Sequence, residues 1–256
     1  MDLIDVREIR VPRTRDELVF GEGDRPLGGG TWLYSEPQPG TTGLVDLTDL
    51  GWDSIDESDA GLTIGATVTI ATLARHPRPL FAQCANSLLA SFKIWNVATV
   101  GGNIALALPA GPMTSLASGL DGTAVIWSAT SERRLAVADL VTGVQQTALQ
   151  HGEVLRAIEI PRATLEARHA FRRISLSPLG RTGTLVTAVL GEEAVFTVTG
   201  GTTRPHVLRF DELPSAAALE QAVDAIDDWY DDAHGSPDWR RAMSARFALE
   251  LREELA

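Results

Sequence analysis

The chain has 256 residues, 44% hydrophobic and 22% charged, enough apolar material for one large domain or two modest ones. A formal net charge of −12 with no strongly basic run disfavours nucleic acid, whose phosphates it would repel. Cys84 is the only cysteine, which excludes an internal disulfide and a cysteine-ligated iron–sulfur cluster held by this chain alone.

The acidic start, Met1 to Asp5, lacks the apolar core of a signal peptide, and no apolar run reaches membrane-spanning length. A cytoplasmic location without membrane insertion is therefore expected. Leu3 to Val11 reads as a short strand. Thr14 and Glu17 have the spacing of a capping box at a helix start. Leu27-Gly28-Gly29-Gly30-Thr31-Trp32-Leu33 follows. Its three glycines suit either an anion-binding concavity of backbone amides or a flexible loop, and Thr31 adds a hydroxyl. Leu33 stands where G-x-G-x-x-G needs its third glycine, and Lys93, the only lysine, follows Phe92 rather than the glycine of a Walker A loop.

Leu44 to Leu47 and Leu62 to Thr69 read as strands, and Thr69 to His76 as a short helix stopped by Pro77 and Pro79. Pro79 to Phe92 reads as one helix. In Ala98 to Ile104, Thr99 and Val100 favour extended backbone, Gly101-Gly102 makes a turn, and Asn103 offers a side-chain amide. That stretch is either a plain turn or one whose amides face a ligand. Thr114 to Leu120 suits a helix. Ala124–Trp127 and Glu132–Val137 look like paired strands, and Glu153–Ile160 alternates as a strand. Beyond Pro161 the composition turns locally basic over 162–181, which marks a domain boundary near 161–165. Leu185–Leu190 and Ala194–Thr199 make a hairpin. Leu213–Trp229 reads as a helix. Pro237–Leu255 is a final amphipathic helix with Trp239, Met243, Phe247 and Leu251 as its packing stripe.

The five histidines show no metal-ligand spacing, and no G-x-S-x-G elbow occurs. The acidic run Asp227-Asp228 and Asp231-Asp232 reads as a solvated helix end rather than a metal site. No acid–base or nucleophilic constellation stands out. Two glycine-rich turns suited to phosphate point instead to a bound cofactor that carries the chemistry.

At these residues the chain resembles a family. Leu27–Leu33 is similar to the first FAD-binding stretch, A-G-G-T-D-L, of the flavoprotein subunits of molybdenum hydroxylases. Asn96–Ile104 is similar to the second, R-N-x-A-T-I-G-G-N-I, and Ile64-Gly65-Ala66-Thr67 to the strand end between them. The family includes carbon monoxide dehydrogenase medium chains and the FAD domain of xanthine dehydrogenase. Phe171-Arg172-Arg173 resembles its F-x-K/R stretch, and Ser236 to Arg241 the S-x-x-Y-R-R start of its last helix.

The resemblance implies an α+β fold. Residues 1–161 would form a PCMH-type FAD-binding domain of two α/β subdomains, of the vanillyl-alcohol oxidase and MurB-like kind. Residues 162–256 would form a smaller C-terminal α+β domain, a short antiparallel sheet with helices, of the carbon monoxide dehydrogenase flavoprotein type. It implies that Leu27, Gly28, Gly29, Gly30, Thr31, Trp32, Thr99, Val100, Gly101, Gly102 and Asn103 hold FAD, chiefly its pyrophosphate through backbone amides. It also implies that Leu89 lines the cofactor and that Arg173 lies near it. Three departures stand out. Trp32 replaces the usual Asp, Trp95 the usual Arg, and Pro112 a cofactor-contacting Asp. The implied function is an FAD-dependent oxidoreductase subunit. It would take electrons from [2Fe–2S] centres on a small partner subunit that serves a large molybdopterin subunit. It would pass them to an external acceptor such as NAD, a quinone or O2. A self-contained FAD oxidoreductase of the same fold, or a flavin-free scaffold subunit, is the alternative.

Overall fold

The structure is a computed structural model that describes residues 3–256. Met1 and Asp2, part of the acidic start, lie outside the described residues. Three short strands come first: β1 (Glu8–Arg10), β2 (Asp24–Leu27) and β3 (Gly43–Asp46). They pair in parallel with β3 in the middle. The strand expected from Leu3 is shorter because a turn, closed by Val6 N–H on Leu3 O, precedes it. The capping box does not form either. Glu17 Oε2 accepts from Arg13 N–H at 2.7 Å, and residues 15–17 make a single 3-10 turn.

A second, antiparallel sheet begins with β4 (Ile55–Ser58) and β5 (Gly61–Gly65). The helical segment that follows consists of α1 (Ile70–Leu73), α2 (Pro79–Ala85), α3 (Phe92–Trp95), α4 (Val100–Ala105) and α5 (Pro112–Gly119). The single helix expected over 79–92 is thus two, with a break at residues 86–91. Ser91 caps α3 by accepting from Ile94 N–H, and Trp95 Nε1 donates to Leu88 O at 3.3 Å, so the intervening chain is pinned in a non-helical path. Next come β6 (Thr123–Trp127), β7 (Glu132–Ala136), α6 (Val137–Leu140) and a ribbon of β8 (Val141–Gly143) with β9 (Gln146–Thr147). Then β10 (Val154–Pro161) enters the middle of the second sheet, in the order β4-β5-β10-β6-β7.

After α7 (Arg162–Glu166), four strands form a third sheet in sequence order: β11 (Arg168–Ile174), β12 (Thr184–Leu190), β13 (Ala194–Thr199) and β14 (His206–Phe210). Two helices cover its outer face, α8 (Ala216–Asp224) and α9 (Pro237–Leu255). Ser215 starts α8, which is shorter than the Leu213–Trp229 helix expected, and the acidic residues after it lie in a loop. Helix α9 has its expected bounds, but its buried face is Arg240, Ser244, Phe247, Ala248, Leu251 and Leu255. Trp239 and Met243 are only half-buried.

Every residue of α5 is buried. The helix packs against α2 and α4 on one side and against β12 and β13 on the other. Val189 and Val195 of the third sheet join the apolar core of the first half, so the halves share packed surface. No helix among the described residues is long and apolar enough to cross a membrane.

Candidate functional site

The first glycine stretch leaves the end of β2 as an irregular loop. Among the described residues, no backbone N–H from Gly28 to Leu33 meets a protein acceptor. Buried or half-buried amides normally find a partner, so a run of free ones is open to an acceptor outside the chain. Gly29 has no room for a side chain, since a Cβ there would lie 1.8 Å from Val97 O. Gly30 adopts φ +68°, the left-handed region that glycine alone enters without cost. The loop therefore lies directly on the chain that leads into the second glycine motif. Trp32, at the usual Asp position, uses its carbonyl to receive Ser35 N–H and Oγ.

The second motif is arranged differently from the expected turn. Thr99 is the N-cap of α4, its hydroxyl accepting from Gly102 N–H at 3.1 Å, and the glycine pair sits in the helix's first turn. Val100 N–H donates to Val68 O, Gly101 N–H to Ala66 O and Asn103 N–H to Thr99 O. All four amides of residues 100–103 thus have acceptors within the chain, and the free amides belong to the first loop. The outward face of this turn is Gly102, which is exposed. Asn103 Oδ1 accepts from Met113 N–H at 3.0 Å. It thereby serves the first turn of α5, whose leading residue Pro112 is buried and brings neither charge nor donor.

A cleft of about 350 Å³ opens beside this turn. One wall comes from the break between α2 and α3, through Leu88 and Leu89, and from Leu108 beyond α4. Asn103 lies in it, and from the C-terminal half come Arg181 and His234. Leu89 is 58% exposed, an apolar side chain facing open space. The chain between α4 and α5 holds Ala107 at φ +50°, with its carbonyl receiving Gln145 N–H. This is a strained conformation for a buried alanine, of the kind that clusters at ligand sites.

Arg173 is not among the residues lining the cleft. Its guanidinium donates to Thr182 Oγ1 at 2.8 Å and to Gly180 O, and burial draws its pKa down. Thr182 Oγ1 in turn donates to Ser87 O, so Arg173 fastens the loop before β12 onto the break after α2. Arg240, only 1% exposed, was missed by sequence reasoning. It donates to the carbonyls of Gly235, Gly183 and Gly200 and pairs with Asp232. The Asp232 carboxylate also receives His234 N–H.

The acidic run is not a solvated helix end. Asp228 accepts from Thr203 Oγ1 and His206 Nε2, tying the loop after α8 to the β13–β14 connection. Among the described residues no group of three His, Cys, Asp or Glu is placed to hold a metal ion. Cys84 is buried in the core, and desolvation pushes its thiol pKa well up, away from nucleophilic use.

Comparison with known proteins bears on the family and the fold. A family described as the FAD binding domain in molybdopterin dehydrogenase matches residues 15–163. The carbon monoxide dehydrogenase medium chain of Afipia carboxidovorans is 30% identical over 195 residues, 71% of this chain and 64% of that one. The nicotinate dehydrogenase FAD-subunit of Eubacterium barkeri is 27% identical over 189 residues, 66% of this chain and 62% of that one. The matches thus span less than two thirds of these relatives' lengths. The crystal structure of quinoline 2-oxidoreductase from Pseudomonas putida 86 superimposes with a TM-score of 0.80 at 24% identity, covering 97% of both chains, and so shares the mixed α/β fold. With more than half of its length matched by the family model, the chain belongs to the FAD-binding domain family of molybdopterin dehydrogenases.

Proposed function

We propose that this chain is the FAD-carrying electron-transfer subunit of a multi-subunit molybdenum hydroxylase. Residues 1–161 would act as a PCMH-type FAD-binding domain and residues 162–256 as the smaller C-terminal domain. The observation that carries the reading is the unpartnered amide run from Gly28 to Leu33, seated on the chain into α4. Gly28, Gly29, Gly30 and Thr31 would cradle the pyrophosphate with backbone N–H groups, whose fixed geometry and lack of obstructing side chains suit a phosphate. Leu27 and Trp32 frame that loop. Thr99, Val100 and Gly101 shape the floor beneath it. Gly102 and Asn103 offer an open edge, and Leu89 an apolar wall. Arg173 would act indirectly, by holding the loop that carries Arg181.

Bound FAD would supply the redox chemistry, with the protein providing position and electrostatics. The complex would comprise this chain, a small subunit bearing [2Fe–2S] centres and a large subunit bearing molybdopterin. Electrons would arrive from the small subunit and leave to an external acceptor. The test is purification with the visible spectrum recorded and the released cofactor identified by chromatography. The expected result is flavin bands, FAD on release, and co-purification with an iron–sulfur and a molybdenum subunit. Gly29→Ala should weaken FAD binding at least about tenfold, roughly 1.4 kcal/mol, with far-UV circular dichroism retained. A folded, colourless wild-type chain that takes up no added FAD would sink the reading.

A further inference from the structure

In a chain of net charge −12, no Asp or Glu among the described residues lines the 350 Å³ cleft; its fixed positive charge is Arg181, and the His234 imidazole lies in it too. Neither side chain has a hydrogen-bond or ion-pair partner among the described residues, although most arginines of this protein do. Both come from the C-terminal half, and both are set by one buried group. Arg240 grips Gly183 O, two residues after Arg181, and Gly235 O, one residue after His234. The rest of the lining is Leu88, Leu89, Leu108, Ala110 and Gly111 with two uncharged polar residues, Ser87 and Asn103.

An unpaired guanidinium lining a largely apolar, carboxylate-free cleft favours a flat ligand with an electron-rich, anionic edge. We propose that Arg181 and His234 form the electrostatic half of the flavin-ring site, stabilising the negative charge that the isoalloxazine carries when reduced. Arg240 is their positioning residue. This rests on the FAD reading above and goes beyond it by assigning the ring's redox tuning to the C-terminal half. Positive charge beside the ring stabilises the reduced form over the oxidised one, so it raises the reduction potential.

The test uses the FAD-loaded protein and spectroelectrochemical titration, with FAD affinity measured alongside. Arg181→Gln and His234→Gln should each move the midpoint potential to more negative values, and the double variant further. Arg246→Gln removes a charge from the exposed face of α9 and should leave the midpoint where it is. Loss of FAD from folded Arg181→Gln, with Arg246→Gln retaining it, would equally support the assignment. Unchanged midpoint and affinity in both cleft variants, in a wild type that binds FAD, would overturn this proposal alone. A wild type that binds no FAD would overturn it together with the function on which it rests.

Discussion

Arg240 carries more of the C-terminal half than any other single side chain. It satisfies three backbone carbonyls and a carboxylate from three different chain segments, with almost no contact with water. Arg240→Met would leave those acceptors and the Asp232 charge unmatched, and should cost about 3–5 kcal/mol of stability. Urea unfolding of the two proteins reads this directly. An unchanged midpoint would mean the clamp contributes nothing. An arginine in a terminal helix reads as solvent-facing, so the sequence stripe runs through Trp239, Met243, Phe247 and Leu251, of which the last two are buried. The signal was nevertheless there, because residues 240, 244, 247 and 251 share one helical face. Gly28–Gly30, by contrast, reads from the residues as either an anion-binding concavity or a flexible loop, and the structure gives it a close approach at Gly29 and a left-handed φ at Gly30.

Several strands and the last helix follow their sequence patterns. β6 with β7, β12 with β13, and α9 lie where alternation and amphipathic spacing put them. What the patterns did not reveal was set by particular pairings rather than by periodicity. The strand β4, short and polar, exists through pairing with β5. Asn86–Ser91 leaves the helix because Trp95 takes Leu88 O, and that break makes the cleft wall. A longer-range polar tie secures the second sheet. Arg133 of β7 donates to both oxygens of Glu153, at 2.8 and 2.6 Å, just before β10 begins. Arg133's hydrogen bonds are the main cause holding the Glu153 carboxyl below its ordinary value of 4.5. A carboxylate with a depressed folded-state pKa stabilises the protein above its unfolded-state value, and that contribution is lost as pH falls through the folded value. Glu153→Gln should therefore lower the urea midpoint at neutral pH and flatten its decline toward about pH 3. Parallel curves for the two proteins would show that the pair has no linkage to folding.

Considered as a whole, the molecule has no clean seam. Helix α5 is buried along its full length between α2 and α4 on one side and β12 and β13 on the other, and Val189 and Val195 complete the core of the first half. The composition change near Pro161 marks where one sheet ends and the next begins, yet packing crosses it. Tryptophan fluorescence and far-UV circular dichroism should report a single coincident unfolding transition in the cofactor-free protein. Two separated transitions would mean that the shared surface is too weak to couple the halves.

Helix α3 leaves a practical legacy. It carries Lys93, the sole lysine in 256 residues, on an exposed turn that Trp95 fastens to the cleft wall. Apart from the terminal amine, acylating reagents therefore meet one lysine side chain, on the helix that follows the cleft-wall segment. A dye, a cross-linker or a sensor surface attached there would address every molecule at the same place and in the same orientation.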